Sequence, residues 1–203
     1  MKIQYNVITS GINPALKYKI CANIGNKRYE SDLGSIIRTK NIDSIGFTPD
    51  YESKSVTFYV NTQDHENKNR YYKWSYTEEG AFHSGYLAVS EYNPTTKKIF
   101  DIEMSQNRHF CWGSSVSSAI LIQSTDHLSQ DRVFQKNLTS MSSKEKKISY
   151  LYSMELTQMA ITQEAYKYWE NIRKNSDEIG GIFAPQPSEI KGNLKCISNP
   201  SEK

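Results

Sequence analysis

The chain is short of the residues on which metal, redox and membrane-spanning proteins depend. Its 203 residues contain three cysteines, Cys21, Cys111 and Cys196, and none stands in a C-x-x-C pair. Zinc-ribbon and thioredoxin-type sites are thereby excluded on spacing. No run of ~18 apolar residues occurs, which excludes a helical membrane span. The opening MKIQYNVITSG lacks the basic and apolar regions of a secretory signal. Charge of one sign is also missing. The 25 Lys and Arg against 22 Asp and Glu leave a net charge of +3 with no like-charge block, so no footprint for nucleic acid exists.

What the chain does have is aromatic surface: 14 Tyr, 7 Phe and 3 Trp, enough large side chains to fill a core. Their spacing is that of strands. Residues 16–32 predict a hairpin, with Tyr18, Ile20 and Ala22 alternating against Lys17, Lys19 and Cys21 and a turn at Gly25-Asn26. A run over 42–47 ends at an expected turn, Pro49-Asp50. In SVTFYVNT (55–62) Val56, Phe58 and Val60 share a face, and in RYYKWSYT (70–77) Tyr72, Trp74 and Tyr76 do the same. The polar DHENKN between them makes the pair a meander. Trp74 is expected in the core, as in immunoglobulin-like sandwiches. Further strands are expected at 97–104, 119–124, 132–138 and 148–161, and 107–118 is read as a long connection.

The stretch from Thr162 onward predicts a helix over 163–178. Thr162 can cap its first turn, Glu164 sits where the macrodipole favours an acid, and Ala165, Trp169 and Ile172 form an apolar stripe. Gly180-Gly181 stops it, and Pro185 and Pro187 forbid continuation. The fold expected is therefore mainly β, an Ig-like or fibronectin-like sandwich with one amphipathic helix near the C-terminus. Residues 1–40 are read as N-terminal strands, the remnant of a truncated β region. Residues 41–203 are read as a sandwich-like core ending in a truncated strand.

Chemistry-bearing motifs are sparse. His65, His83, His109 and His127 lie in segments read as turns or loops, none in an H-x-x-x-H or H-E-x-x-H arrangement. Asp64, Glu66, Asn67 and Asn69 offer hard oxygen donors, but without the D-x-D-x-D-G spacing of a calcium loop; a hairpin turn is the simpler reading. GSSVSS (113–118) has no G-x-S-x-G elbow. No catalytic residue, metal or cofactor is expected. Binding candidates are Tyr71, His83 and Tyr86, with the segments 79–85 and 107–115 as loops. For the cysteines two readings stay open. In an oxidising compartment Cys111 and Cys196 can bridge, worth ~4–5 kcal/mol in the chain-entropy model; otherwise all three are free thiols packed as small hydrophobes.

Several blocks of the chain resemble one family. TQDHENKNRYYKWSYTEE (62–79) is similar to a D-P-x-N-x-x-x-Y-Y-x-W-x-Y-x-E block, with His65 in place of the usual proline. FCWGSSVSSAILIQSTDHLSQDRV (110–133) resembles a C-W block followed by an apolar strand and S-x-D-R. EAYKYW (164–169) with GIFAPQPSEIKGN (181–193) resembles the most diagnostic stretch, Ala184 standing where Asp is common. The family is domain of unknown function 4249, found in cell-envelope proteins of Bacteroidota, and the resemblance covers residues 18–199. It implies a setting in the periplasm or at the outer-membrane surface, beside TonB-dependent transporters. It also makes the Cys111–Cys196 bridge chemically admissible. Because members carry an export signal and strands at both ends, it further implies that this chain is a fragment. The function expected is a non-enzymatic accessory or binding protein whose partner is an outer-membrane transporter or its cargo; the alternative is a carbohydrate- or peptide-binding adhesion module.

Overall fold

A computed structural model describes residues 11–106, 108–177 and 192–199. Among them fourteen strands form five sheets, every pairing antiparallel, beside one α-helix. No helix among the described residues is long and apolar enough to cross a membrane. The chain divides into two compact units. One holds residues 39–169; the other joins the segment before residue 39 to the segment from residue 170 onward.

In the second unit, β1 (Lys17–Tyr18) pairs with β4 (Gly34–Ser35), and the expected hairpin lies between them as β2 (Cys21–Ile24) and β3 (Lys27–Ser31). Ile24 opposes Lys27, so the turn has two residues. Gly25 takes φ +62° there, a conformation that costs a residue without a Cβ little. Glu30 holds the pair from the side through ion pairs to Lys19 and, at 2.6 Å, Arg28.

The larger unit is a sandwich of two sheets. In the first, β5 (Ser44–Asp50) and β6 (Ser55–Asp64) form a hairpin, and β12 (Asp131–Ser142) pairs with the other side of β6. The expected turn at Pro49-Asp50 is instead the end of β5, and the chain turns at residues 51–54. Pro49 is tolerated because β5 is an edge strand, whose far side needs no amide donor. The second sheet is built on β7 (Tyr71–His83). One of its sides carries β10 (Phe110–Val116) and then β11 (Leu121–Ser124); the other carries β13 (Leu151–Ala160). The segments read as loops at 79–85 and 107–115 are thus largely strand: β7 runs on through His83, and β10 pairs with that extension. A small hairpin, β8 (Ser90–Asn93) with β9 (Lys98–Asp101), stands apart as its own two-stranded sheet.

Period two explains the core. Val60 of β6, Tyr72 and Trp74 of β7, and Val133 and Leu138 of β12 form one buried cluster, with Leu121, Met154 and Leu156 packed on it. Residues of both sheets thus share one interior, as a sandwich requires. Tyr72 and Trp74 are wholly buried and stack at 5.8 Å; burying each contributes about 2–3 kcal/mol. Polar ties cross the gap. The Trp74 indole N–H donates to Gln158 Oε1 at 2.7 Å, and Gln158 Nε2 donates to the Lys40 carbonyl and to Thr62 Oγ1, each at 3.0 Å. Gly80 lies against the Lys147 backbone so closely that a Cβ would overlap it.

Helix α1 (Gln163–Asp177) begins as expected, with the Ala165 N–H donating to Thr162 Oγ1 at 3.1 Å. Its first turns lie on the outer face of β7: Tyr166 packs on Tyr71 at 5.3 Å, and the Lys73 ammonium sits 4.5 Å over the Trp169 ring. The stop signals Gly180, Gly181, Pro185 and Pro187, and the N-terminal residues 2–8, lie outside the described residues. The last strand, β14 (Leu194–Cys196), pairs with β3, Leu194 opposite Ser31 and Cys196 opposite Tyr29. Residues 41–203 were expected to share one core; this pairing is why the C-terminal segment groups with the N-terminal strands instead.

Candidate functional site

If Tyr72, Trp74, Tyr76, Glu78 and Gly80 face the core, then Tyr71, Lys73, Ser75, Thr77, Glu79, Ala81 and His83 line the outer face of β7. Register sets their neighbours. Phe110 stands beside His83; Trp112 and Leu151 flank Ala81; Ser114 and Ser153 flank Glu79; Val116 and Glu155 flank Thr77. The helix covers the Tyr71 end of this face. The His83 end is open, with Trp112 72% and Phe110 59% exposed. His83 is the hub of its ring contacts: edge-on to Phe110 at 4.5 Å, stacked on His109 at 4.6 Å, and 4.9 Å from Tyr150. Ser84 fastens the corner by donating its N–H to the His109 carbonyl at 2.8 Å.

The three binding candidates separate on this frame. His83 belongs to the open patch, as the last residue of a strand rather than in a loop. Tyr86 lies just beyond it and is almost fully exposed. Tyr71 is at the opposite end of the same 13-residue strand, roughly 40 Å away at ~3.3 Å per residue. Its hydroxyl donates to Asp126 Oδ2 at 3.0 Å and its ring packs on Tyr166 of the helix, so both are engaged within the fold. Trp112 and Phe110 are not legible as site residues in the sequence because G-S-S reads as loop; their i, i+2 spacing is the available signal. Cys21, Cys111 and Cys196 are free thiols, with Cys196 buried 3.5 Å from Ser198 Oγ.

On the core side of the same strands lies a cavity of about 190 Å³ bounded by Glu78, Phe82, Ser115, Lys147 and Tyr152. Glu78 Oε1 accepts from Ser115 Oγ at 2.7 Å and Lys147 Nζ at 2.9 Å, and Oε2 accepts from the Tyr152 hydroxyl at 2.9 Å. Burial pushes the Glu78 carboxyl up, but the three donors outweigh it and hold it below its ordinary value. Burial likewise pulls Lys147 down, and Glu78 more than restores it. Burial and the neighbouring carboxylate drive the Tyr152 phenol far upward. Each group is thus fixed in its resting protonation state, Glu78 ionised, Lys147 charged and Tyr152 neutral, which suits an internal ion pair better than proton transfer.

The oxygen-rich turn after β6 is similarly committed. Asp64 accepts from the N–H groups of Glu66, Lys68 and Asn69 at 3.0–3.1 Å, and the Asn67 Oδ1 accepts from the Asp131 N–H at 2.7 Å. Glu66 pairs with Lys40 and Lys68, which hold its carboxyl down to about 2. Buried Asp131 receives the hydroxyls of Tyr72 and Thr125. These oxygens close a turn and pin it to the core. Among the described residues, no group of three or more His, Cys, Asp or Glu is placed to hold a metal.

The family model described as Domain of unknown function (DUF4249) matches residues 2–203. The chain belongs to this family. The resemblance of residues 18–199 thus extends over nearly the whole sequence. No curated protein and no solved structure matches the chain. In this member of the DUF4249 family the Y-Y-x-W-x-Y block supplies two of the five buried residues at the centre of the sandwich, while the C-W block places Cys111 inward and Trp112 outward on β10.

Proposed function

We propose that this chain is a non-enzymatic binding protein of the cell envelope, serving TonB-dependent transport across an outer membrane. The observation that carries the binding reading is the open outer face of β7, β10 and β13. An exposed Trp and Phe on a rigid sheet are an expensive arrangement unless something covers them. The envelope setting rests on the resemblance of the chain's motif blocks to proteins of that compartment. The non-enzymatic reading draws support from Glu78 and Lys147, which neutralise each other in the cavity where a carboxylate, an ammonium and two hydroxyls converge.

Co-purification of the full-length protein from outer membranes tests this. A TonB-dependent transporter recovered in fixed stoichiometry, with retained cargo that Phe110→Ala with Trp112→Ala releases, is the expected result. Recovery without a transporter, or with cargo retention indifferent to those substitutions, refutes it.

A further inference from the structure

Two adjacent rows of the open face differ in chemistry. One is apolar, with exposed Trp112 and Leu151 on either side of buried Ala81. The next, one pleat along the strands, is polar: Ser114, Glu79, Ser153. The Trp112 ring makes no ring contact among the described residues. Glu79 and Glu155 form no ion pair there, and the Ser114 and Ser153 hydroxyls bond to no other described side chain. Diagonal neighbours on a sheet are ~7–8 Å apart, so a free carboxylate stands about one sugar ring's width from a free indole.

We propose that these two rows form a saccharide-binding subsite, with a pyranose ring stacked on Trp112 and its hydroxyls donating to Glu79 and Ser114. The inference rests on the binding reading above and assigns that face a cargo. A pyranose presents a C–H face, which packs on an aromatic plane, and a rim of hydroxyl donors, which an ionised carboxylate accepts strongly. The other occupants fit less well. An apolar protein surface would strip water from Glu79 and Glu155 and give them no cation or donor. A second copy docked about a twofold axis would present the same two carboxylates again. A face built on β-strands also holds its side chains in fixed register, as a subsite requires.

The test uses the full chain. Wild-type protein is screened on a glycan array and then titrated by calorimetry with cellohexaose, xylohexaose and mannohexaose, following tryptophan emission in parallel. At least one glycan is expected to bind in the range of ~0.1–1 mM, with a change in emission that Trp112→Phe reduces and Trp112→Ala removes. Trp112→Ala is expected to weaken binding at least ~10-fold and Glu79→Gln ~3–10-fold. Both sites are exposed, and unchanged circular dichroism and melting temperature exclude unfolding. No glycan retained by the wild type overturns the proposal, as does binding that Trp112→Ala leaves intact. A concentration-dependent dimer abolished by Trp112→Ala, without glycan binding, assigns the face to a second copy and also overturns it. Transporter co-purification that persists when no glycan binds leaves the broader function standing while this inference fails.

Discussion

Gln158→Leu removes the side chain that links Trp74, its neighbour on the β7–β13 ladder, to Thr62 of the opposite sheet while nearly conserving volume. In the native protein the indole N–H has Gln158 Oε1 at 2.7 Å, and the amide's own N–H groups reach the Lys40 carbonyl and Thr62 Oγ1. Leucine leaves the indole N–H without its acceptor in a wholly buried ring, a loss of about 1–3 kcal/mol. The Lys40 carbonyl and the Thr62 hydroxyl each lose a donor as well. Extra apolar burial returns about 0.8 kcal/mol per methylene equivalent. The net expectation is about 2 kcal/mol of destabilisation, read in urea as a midpoint lowered by roughly 1 M at unchanged slope. Trp74→Phe combined with Gln158→Leu removes both partners, so the double variant should be about 1 kcal/mol more stable than the sum of the singles. A Gln158→Leu variant within ~0.5 kcal/mol of wild type, or strictly additive singles, would refute the view that this amide holds the sandwich together.

Gly80→Ala should lower stability by about 1–3 kcal/mol in thermal unfolding, because its methyl would overlap the Lys147 backbone; an unchanged melting temperature contradicts that packing. Glu66 has its carboxyl lowered from 4.5 to about 2 by Lys40 and Lys68. A depressed carboxylate stabilises fully above its ordinary value and loses that contribution as pH falls through the folded one. Its carbon-detected titration should therefore have a midpoint near 2, and Glu66→Gln should flatten the stability profile between about pH 4.5 and 2; a midpoint near 4.5 rules out the pairing. Thiol titration of the denatured, unreduced protein should count three cysteines, and the native protein should react first at exposed Cys21 and last at buried Cys196. A count of one would instead mean that two cysteines are bridged.

Where apolar and polar residues alternate over a whole strand, the sequence was legible. The 55–62 and 70–77 runs are β6 and the first half of β7, Gly25-Asn26 is a two-residue turn, and Thr162 caps α1. Legibility failed in the second half of β7 for a physical reason. There the core-facing positions are Glu78 and Gly80, one satisfied by Ser115, Lys147 and Tyr152, the other required by the Lys147 backbone. Neither reads as core, so the strand and its partner β10 looked like loops. The candidate face is hidden for the same reason, since its register exists only once β10 is paired with β7. Tyr71 and His83 do share a side of one strand, but spacing along a sequence does not tell which end a helix will cover.

The pairing of β14 with β3 carries a cost in time. Leu194 reaches Ser31 across 163 positions of chain. At synthesis rates of ~5–20 residues per second, β3 waits roughly 10–30 s for the strand that completes its sheet. Residues 39–169 close on themselves and need no such delay. During that interval the hairpin of β2 and β3 presents an unsatisfied edge to any passing chain, which makes the nascent protein's first half a natural client for a holding chaperone.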